Sequence, residues 1–210
     1  MKKHITLIAL ILIQGVLLTS CFDIYQAITK DSNGNERNII KVTLNKAILE
    51  MGNSMGGGSS TDYDKIFDGS DIDVNSYGQF GAKITKINNE SDVGLLVDMS
   101  FNYRDPSVIN RINQGKVSFI HKYNGKNITI HVDSMGESSE DNQMAAAFLA
   151  AGKYRLVISK KCVATVSKVI LRSSQGETEY SFLDLVDSYL IEIPIPVLFT
   201  SPIDIVIQSA

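Results

Sequence analysis

Between Gly94 and Tyr103 the chain alternates: Leu95, Val97, Met99, Phe101 and Tyr103 fall on one side, and Asp98, Ser100 and Asn102 on the other. Side chains of a strand point to opposite faces in turn, so this segment makes a strand with one dry and one wet face, the pattern of an antiparallel sheet. Such a strand needs partners, and turn signals supply them. Gly81–Asn88 precedes it across Asn89-Glu90-Ser91-Asp92. Phe22–Lys30 and Asn38–Leu44 flank a turn at Asp31–Glu36 that contains Asn33-Gly34, and Val117–Val132 folds on itself at Asn124-Gly125. Asn-Gly between apolar runs is a strong hairpin signal. A two-residue turn at Asn124-Gly125 pairs Tyr123 with Lys126, His121 with Ile128 and Ser118 with His131. It places His121 on the face of Phe119, Ile128 and Ile130, and His131 on the other. Further strands are expected at Tyr154–Ser159, Val163–Arg172, Glu179–Leu183, Tyr189–Ile195 and Ile203–Ser209.

Three segments read as helices. In Lys46–Met55 the apolar Ile48, Met51 and Met55 recur at helical spacing. Asp105-Pro106 is an N-cap followed by proline in the first helical position; Val108, Ile109 and Ile112 then face the core and Gly115 ends the helix. Ser139–Ala151 carries an alanine-rich run stopped by Gly152. The expected fold class is α+β: a hairpin-rich antiparallel sheet with about three helices packed on it. It forms one domain over 21–210, interrupted by a flexible loop at 56–73 that starts with Gly56-Gly57-Gly58-Ser59-Ser60.

The first twenty residues do not belong to that domain. Lys2 and Lys3 precede an apolar run from Ile5 to Leu18. Spanning a bilayer takes about 20 apolar residues, so this shorter run behind a basic start reads as an export signal. It ends in Leu18-Thr19-Ser20-Cys21, which resembles the lipobox of bacterial lipoproteins. That resemblance implies cleavage between Ser20 and Cys21. It also implies covalent diacylglycerol and fatty acyl groups, such as palmitate, on Cys21, and no other cofactor. Asp does not directly follow the cysteine, which favours the outer over the inner membrane; Asp23 one place later acts against it. Stable anchoring takes two lipid signals, at about 0.8 kcal/mol per buried methylene, and an acylated cysteine of this type supplies them. The later apolar stretch Leu190–Phe199 is broken by Pro194 and Pro196 and does not span.

Loss of the leader removes two lysines and no acid, so 20 basic residues against 23 acidic become 18 against 23, a net charge of −5. This argues against a nucleic-acid partner, which needs a basic face, and gives no attraction to anionic headgroups. With Cys21 acylated, Cys162 has no disulfide partner in the chain. A lone buried cysteine is usually a small apolar residue, although Lys160 and Lys161 would favour its thiolate. His121 and His131 are the only histidines after the leader, and opposite faces keep them from sharing a metal. Asp31, Asn33 and Asn35 have calcium-loop spacing, but Glu36 and Val42 stand where glycine and a carboxylate are required. Asp62, Asp64, Asp68, Asp71 and Asp73 read as a solvated loop before they read as a cation site.

The order of elements resembles the LppM-type lipoprotein domain. A lipidated cysteine leads into a hairpin turning at Asp31–Gly34. A later strand, Gly94-Leu95-Leu96-Val97-Asp98-Met99-Ser100-Phe101, precedes a short helix, and a helix and the strands Tyr154–Ser159 and Val163–Arg172 follow. The resemblance implies an α+β envelope module that handles lipid or meets host molecules; it implies no reaction. The expected function is therefore a non-catalytic, membrane-anchored binding module for a lipid or an envelope partner. With no spacer between Cys21 and the first strand, the module should work at the membrane surface, holding its ligand between helices and sheet. The alternatives are a surface-exposed lipoprotein contacting host molecules, and a hydrolase using Cys162 with His121 or His131, or an Asp pair within Asp62–Asp73.

Overall fold

The computed structural model describes residues 22–50, 77–114, 117–134, 152–199 and 201–210. Of these, 57% are strand and 14% helix, in two sheets of seven and five strands. The α+β expectation is thereby corrected: the fold is mostly β. Alternation reports that one face of each strand is dry, but not whether a helix layer or a second sheet covers it. Here a second sheet does. Of the three expected helices, residues 46–50 are helical and α1 spans Pro106–Gln114, while the remainder of 46–55 and the Ser139–Ala151 segment lie outside the described residues.

The larger sheet is built from β1 (Phe22–Lys30), β2 (Glu36–Asn45), β3 (Lys83–Asn88), β4 (Asp92–Phe101), β7 (Lys153–Ser159), β10 (Leu183–Asp184) and β11 (Ser188–Pro194), ordered β10-β11-β7-β1-β2-β4-β3. The smaller contains β5 (His121–Asn124), β6 (Asn127–Val132), β8 (Val166–Ser173), β9 (Gly176–Tyr180) and β12 (Ile203–Ser209), ordered β5-β6-β12-β8-β9. A five-residue helix, α2 (Ile195–Phe199), links β11 to β12. After β6 the chain crosses from sheet to sheet four times. One pairing, β1 with β7, is parallel; the other pairings are antiparallel.

The inner faces form one apolar cluster. Ile24, Ile28, Leu156, Ile158, Ile191 and Ile193 of the larger sheet face Ile128, Ile130, Val132, Val169, Ile205 and Ile207 of the smaller, all essentially excluded from solvent. Sheets packed this way lie about 10 Å apart with interdigitated side chains. The space between the two sheets is therefore filled by the core. Gly94 of β4 is a site of close approach: a Cβ there would lie 2.0 Å from the Val42 carbonyl oxygen, so no larger residue fits without moving β2.

The first hairpin is as expected, with Gly34 at φ +79° and the Asp31 carbonyl accepting from the Gly34 amide. The second turns one residue late. Its central residues are Gly125 and Lys126, and His121 pairs with Ile130 rather than Ile128. Gly125, at φ +63°, takes the first central position, where a glycine-led hairpin turn wants it. A shift of two in the pairing leaves the faces unchanged, so His121 points inward and His131 outward, as alternation requires. The strand also begins later than Val117, because Phe119 has φ +64°, a value that breaks an extended chain.

Topology gives the molecule two ends. At the near end lie Phe22, Lys153 and Pro194, where Gly152 lets the backbone of Phe22 and the Ile195 side chain close together. At the far end lie Lys30, Glu36, Phe101, Ser159 and Ser188. A nine-residue strand advancing about 3.3 Å per residue separates the two ends by about 26 Å.

Candidate functional site

Polar side chains enter the inter-sheet layer in phase with the apolar ones. Gln26 shares its face of β1 with Ile24 and Ile28, and Glu36 and Asn38 share theirs of β2 with Ile40 and Val42; all of these are buried. Nothing in the residue types of Gln26, Glu36 and Asn38 marks them as a site; their even spacing from buried isoleucines was the signal.

Two buried polar clusters result. In the first, the Tyr154 hydroxyl donates to Gln26 Oε1 at 2.6 Å. Gln26 Nε2 donates to Asn38 Oδ1 at 2.9 Å and to the Phe119 carbonyl at 2.7 Å, which Asn38 Nδ2 also reaches at 2.9 Å. This network fastens the 117–120 segment to the larger sheet.

The second cluster lies at the far end. Glu36 Oε2 is 2.7 Å from His121 Nε2, and its Oε1 accepts from the Tyr123 hydroxyl at 2.6 Å and lies 3.6 Å from Lys30 Nζ. Burial pushes the Glu36 carboxyl up, but the hydrogen bond and charge of His121, the Tyr123 hydroxyl and the Lys30 ammonium outweigh it and hold the group below the usual carboxylate range. Tyr103 donates to the His121 carbonyl at 2.6 Å, and rings of Phe101, Tyr103 and Tyr123 surround the imidazole at 5.2–6.0 Å. His121 Nδ1 is buried without a partner. Burial, followed by the negative charge of Glu36, drives both phenols well above the ordinary tyrosine range, so they act as hydrogen-bond donors and not as bases.

Cys162 belongs to the same end and is half-buried. Its Sγ lies 3.8 Å from the Ile28 carbonyl. Burial and then the Glu36 carboxylate push the thiol up to about 12 against the opposing pull of Lys30, so it stays protonated at neutral pH. The imidazole of His121, its candidate base, is engaged by Glu36 through Nε2. His131 lies on the outer face of the smaller sheet, with Nδ1 2.7 Å from Asp204 and Nε2 3.0 Å from Asp133. Ser118 is close by, but its hydroxyl contacts Asp133 and not the imidazole. The order Ser–Asp–His–Asp gives the hydroxyl no route to the ring, which a Ser-His-Asp triad requires. Among the described residues no group of three or more His, Cys, Asp or Glu side chains is placed to hold a metal. Asp31 spends its carboxylate on the amides of Asn33 and Asn35. Ser20, Cys21 and Asp62–Asp73 lie outside the described residues.

A groove of about 280 Å³ opens at the far end, lined by Tyr103, Ile109, Ile112, Asn113, Lys122 and Tyr123. The Asp105 carboxylate caps α1 through the Ser107 amide at 2.8 Å, as expected, and Ile112 is buried. Ile109, expected in the core, is instead exposed in the groove wall. A helix of nine residues turns only a narrow stripe inward, and Val108 and Ile112 occupy it.

Among the described residues no helix is long and apolar enough to cross a membrane. No protein-family model matches the chain, and no curated protein does. Among solved structures the chain is similar to the NMR structure of the folded domain of the Mycobacterium tuberculosis LppM protein, at 13% identity and a TM-score of 0.38, over 90% of this chain and 91% of that one.

Proposed function

We propose that this chain is a lipid-anchored protein of the bacterial envelope, on the outer membrane, and that its β-sandwich is a non-catalytic binding module for an envelope protein. The observation that carries the reading is Leu18-Thr19-Ser20-Cys21 standing directly before β1, which starts at Phe22. Acyl chains on Cys21 would hold the near end against the bilayer and leave the far end, with its groove, about 26 Å along the strand from the membrane. Filled inter-sheet space favours a protein partner over an enclosed lipid. A protonated Cys162 thiol and a serine bonded to a carboxylate both speak against a hydrolase.

Mass spectrometry of the mature N-terminus tests the anchor. The expected result is a peptide starting at Cys21 with diacylglycerol, and a Cys21→Ala chain that leaves the membrane fraction. A mature terminus elsewhere, or an unmodified Cys21 thiol, overturns it. The enzyme alternative is tested with iodoacetamide at neutral pH: Cys162 should alkylate far more slowly than a free thiol with an ordinary pKa near 8.5.

A further inference from the structure

The chain crosses from β11 to β12 at the near end through α2, and this crossing adjoins the start of the mature chain. The Ile195 amide donates to the Gly152 carbonyl at 2.9 Å. A Cβ added to Gly152 would lie 2.7 Å from the Phe22 carbonyl oxygen and 2.9 Å from Ile195 Cγ1, so the three backbones are in close contact. Cys21 is the next residue. Ile195 and Leu198 are excluded from solvent and close the end of the core. Outside them, Pro194 and Pro202 are exposed, and Pro196 and Val197 are half-buried.

This surface is neutral. Between Glu192 and Asp204 the sequence carries no charged residue, and Pro194, Pro196 and Pro202 have no amide hydrogen to leave unpaired. Charges level with it on the outer face of the larger sheet offset one another: Arg155 bonds Asp23 and Glu192 at 3.0 Å each, and Lys153 lies 3.9 Å from Glu192. On the smaller sheet Asp204 is bonded to His131 at 2.7 Å. The near end differs on its other side. The turn between β3 and β4 carries Glu90, which is exposed, and leads into Asp92. It lies two strand spacings from β1, or about 10 Å.

We infer that the surface formed by α2 and Pro202 rests in the headgroup layer of the bilayer, and that the module leans so that the Glu90 turn stays in water. The inference rests on the anchor reading, because acylated Cys21 supplies the occupant. One residue spans at most about 3.6 Å, and the headgroup layer is about 5–8 Å deep on each side of the hydrocarbon. A surface touching the Phe22 backbone therefore cannot stand clear of that layer. Proline backbone and half-buried aliphatic groups lose little by entering it, whereas carboxylates lose hydration and are repelled by anionic headgroups. Val186 is the most exposed apolar side chain, at 89%, but it belongs to the far end and cannot share the layer.

A depth measurement on the full acylated chain tests this. The mature protein, in a Cys162→Ser background, is placed in vesicles of phosphatidylethanolamine and phosphatidylglycerol that contain lipid spin-labelled at the headgroup. A fluorophore is attached in turn to Pro202→Cys, Val197→Cys, Glu90→Cys and Val186→Cys. Quenching should be several-fold stronger at 202 and 197 than at 90, and absent at 186. Two positions on the α2 surface are used so that one poorly folded variant does not decide the result, and urea midpoints identify such a variant. Quenching at 90 equal to that at 202 and 197, or quenching at 186, overturns the inference. Mass analysis of the Cys21 peptide from the same sample separates the two readings. An acylated Cys21 with 202 and 197 unquenched sinks the surface alone; an unmodified Cys21 sinks the anchor, and the surface with it.

Discussion

The two buried polar clusters of the sandwich do the same job by different means. Both join the larger sheet to the segment around β5, one at Phe119 and the other at His121, two residues later. The Gln26–Asn38–Tyr154 network is neutral, and its members satisfy one another and a backbone carbonyl. The Glu36–His121–Tyr123 cluster is charged, lies at the end of the core, and leaves Nδ1 of His121 without a partner. Amides serve in the middle because they lose little by leaving water once paired. A carboxylate can be afforded only where Lys30, a third exposed, supplies a counter-charge from the rim. The neutral network also holds down Phe119, whose φ of +64° carries a cost of about 1–3 kcal/mol for a non-glycine residue.

The charged cluster is most sensitive at Glu36. Its removal in Glu36→Ala leaves His121 Nε2 and the Tyr123 hydroxyl without an acceptor, and denaturant unfolding should show a loss of about 3–5 kcal/mol. Replacing both partners, Glu36→Leu with His121→Phe, removes the charge and the unpaired nitrogen together, and should return stability to within about 1–2 kcal/mol of the parent. If the double variant is no better than the single, the cluster stabilises by packing and not by its charge.

The neutral network should respond less. Gln26→Leu strips a partner from the Tyr154 hydroxyl and from Asn38 Oδ1, but Asn38 still reaches the Phe119 carbonyl. A loss of about 2–3 kcal/mol is expected, independent of pH between about 4 and 7, because no member titrates there.

Acid separates the clusters by a smaller effect. The folded-state value of Glu36 lies below its ordinary 4.5, so its contribution is complete above that value and is lost as pH falls through the folded one. The unfolded chain binds the proton first, and stability falls toward low pH by at most about 1.4 kcal/mol per unit from this group. Glu36→Gln should flatten urea-unfolding midpoints within that window, and Gln26→Leu should leave their pH slope intact.

How far the sequence foretold this is seen at particular residues. β1 and β12 were legible to the residue, since apolar, β-branched-rich runs bounded by turn signals mark them. The opposite facing of His121 and His131 was legible for the same reason. The second sheet was not, because an inward Ile24 looks the same beneath a helix or a strand. The hairpin register was missed because Asn124-Gly125 and Gly125-Lys126 both satisfy the glycine, and the inter-sheet contacts choose. Ile109 was misplaced because helical spacing gives a stripe but not its width. Of the site, Cys162 and His121 drew attention by residue type, whereas Glu36, which organises both, was passed over as part of a turn.

The smallest effect lies one residue along the same strand. Arg37 follows Glu36 in β2 and so points outward, where Nε and Nη2 bond the two oxygens of Asp98 on β4. The Arg37 hydrogen bond and charge hold the Asp98 carboxyl below its ordinary range. The geometry is two-pronged, as good as that of Glu36 and His121, yet half of Arg37 is in water. Solvent screening and the entropy of a long side chain limit such a pair to about 0.2–1 kcal/mol. Arg37→Ala should therefore shift the denaturation midpoint slightly, and 1 M salt should remove most of the difference, while the loss in Glu36→Ala persists at high salt because its charges are shielded from ions by the core. If both adjacent substitutions proved equally salt-sensitive, burial would not be what separates the two faces of β2.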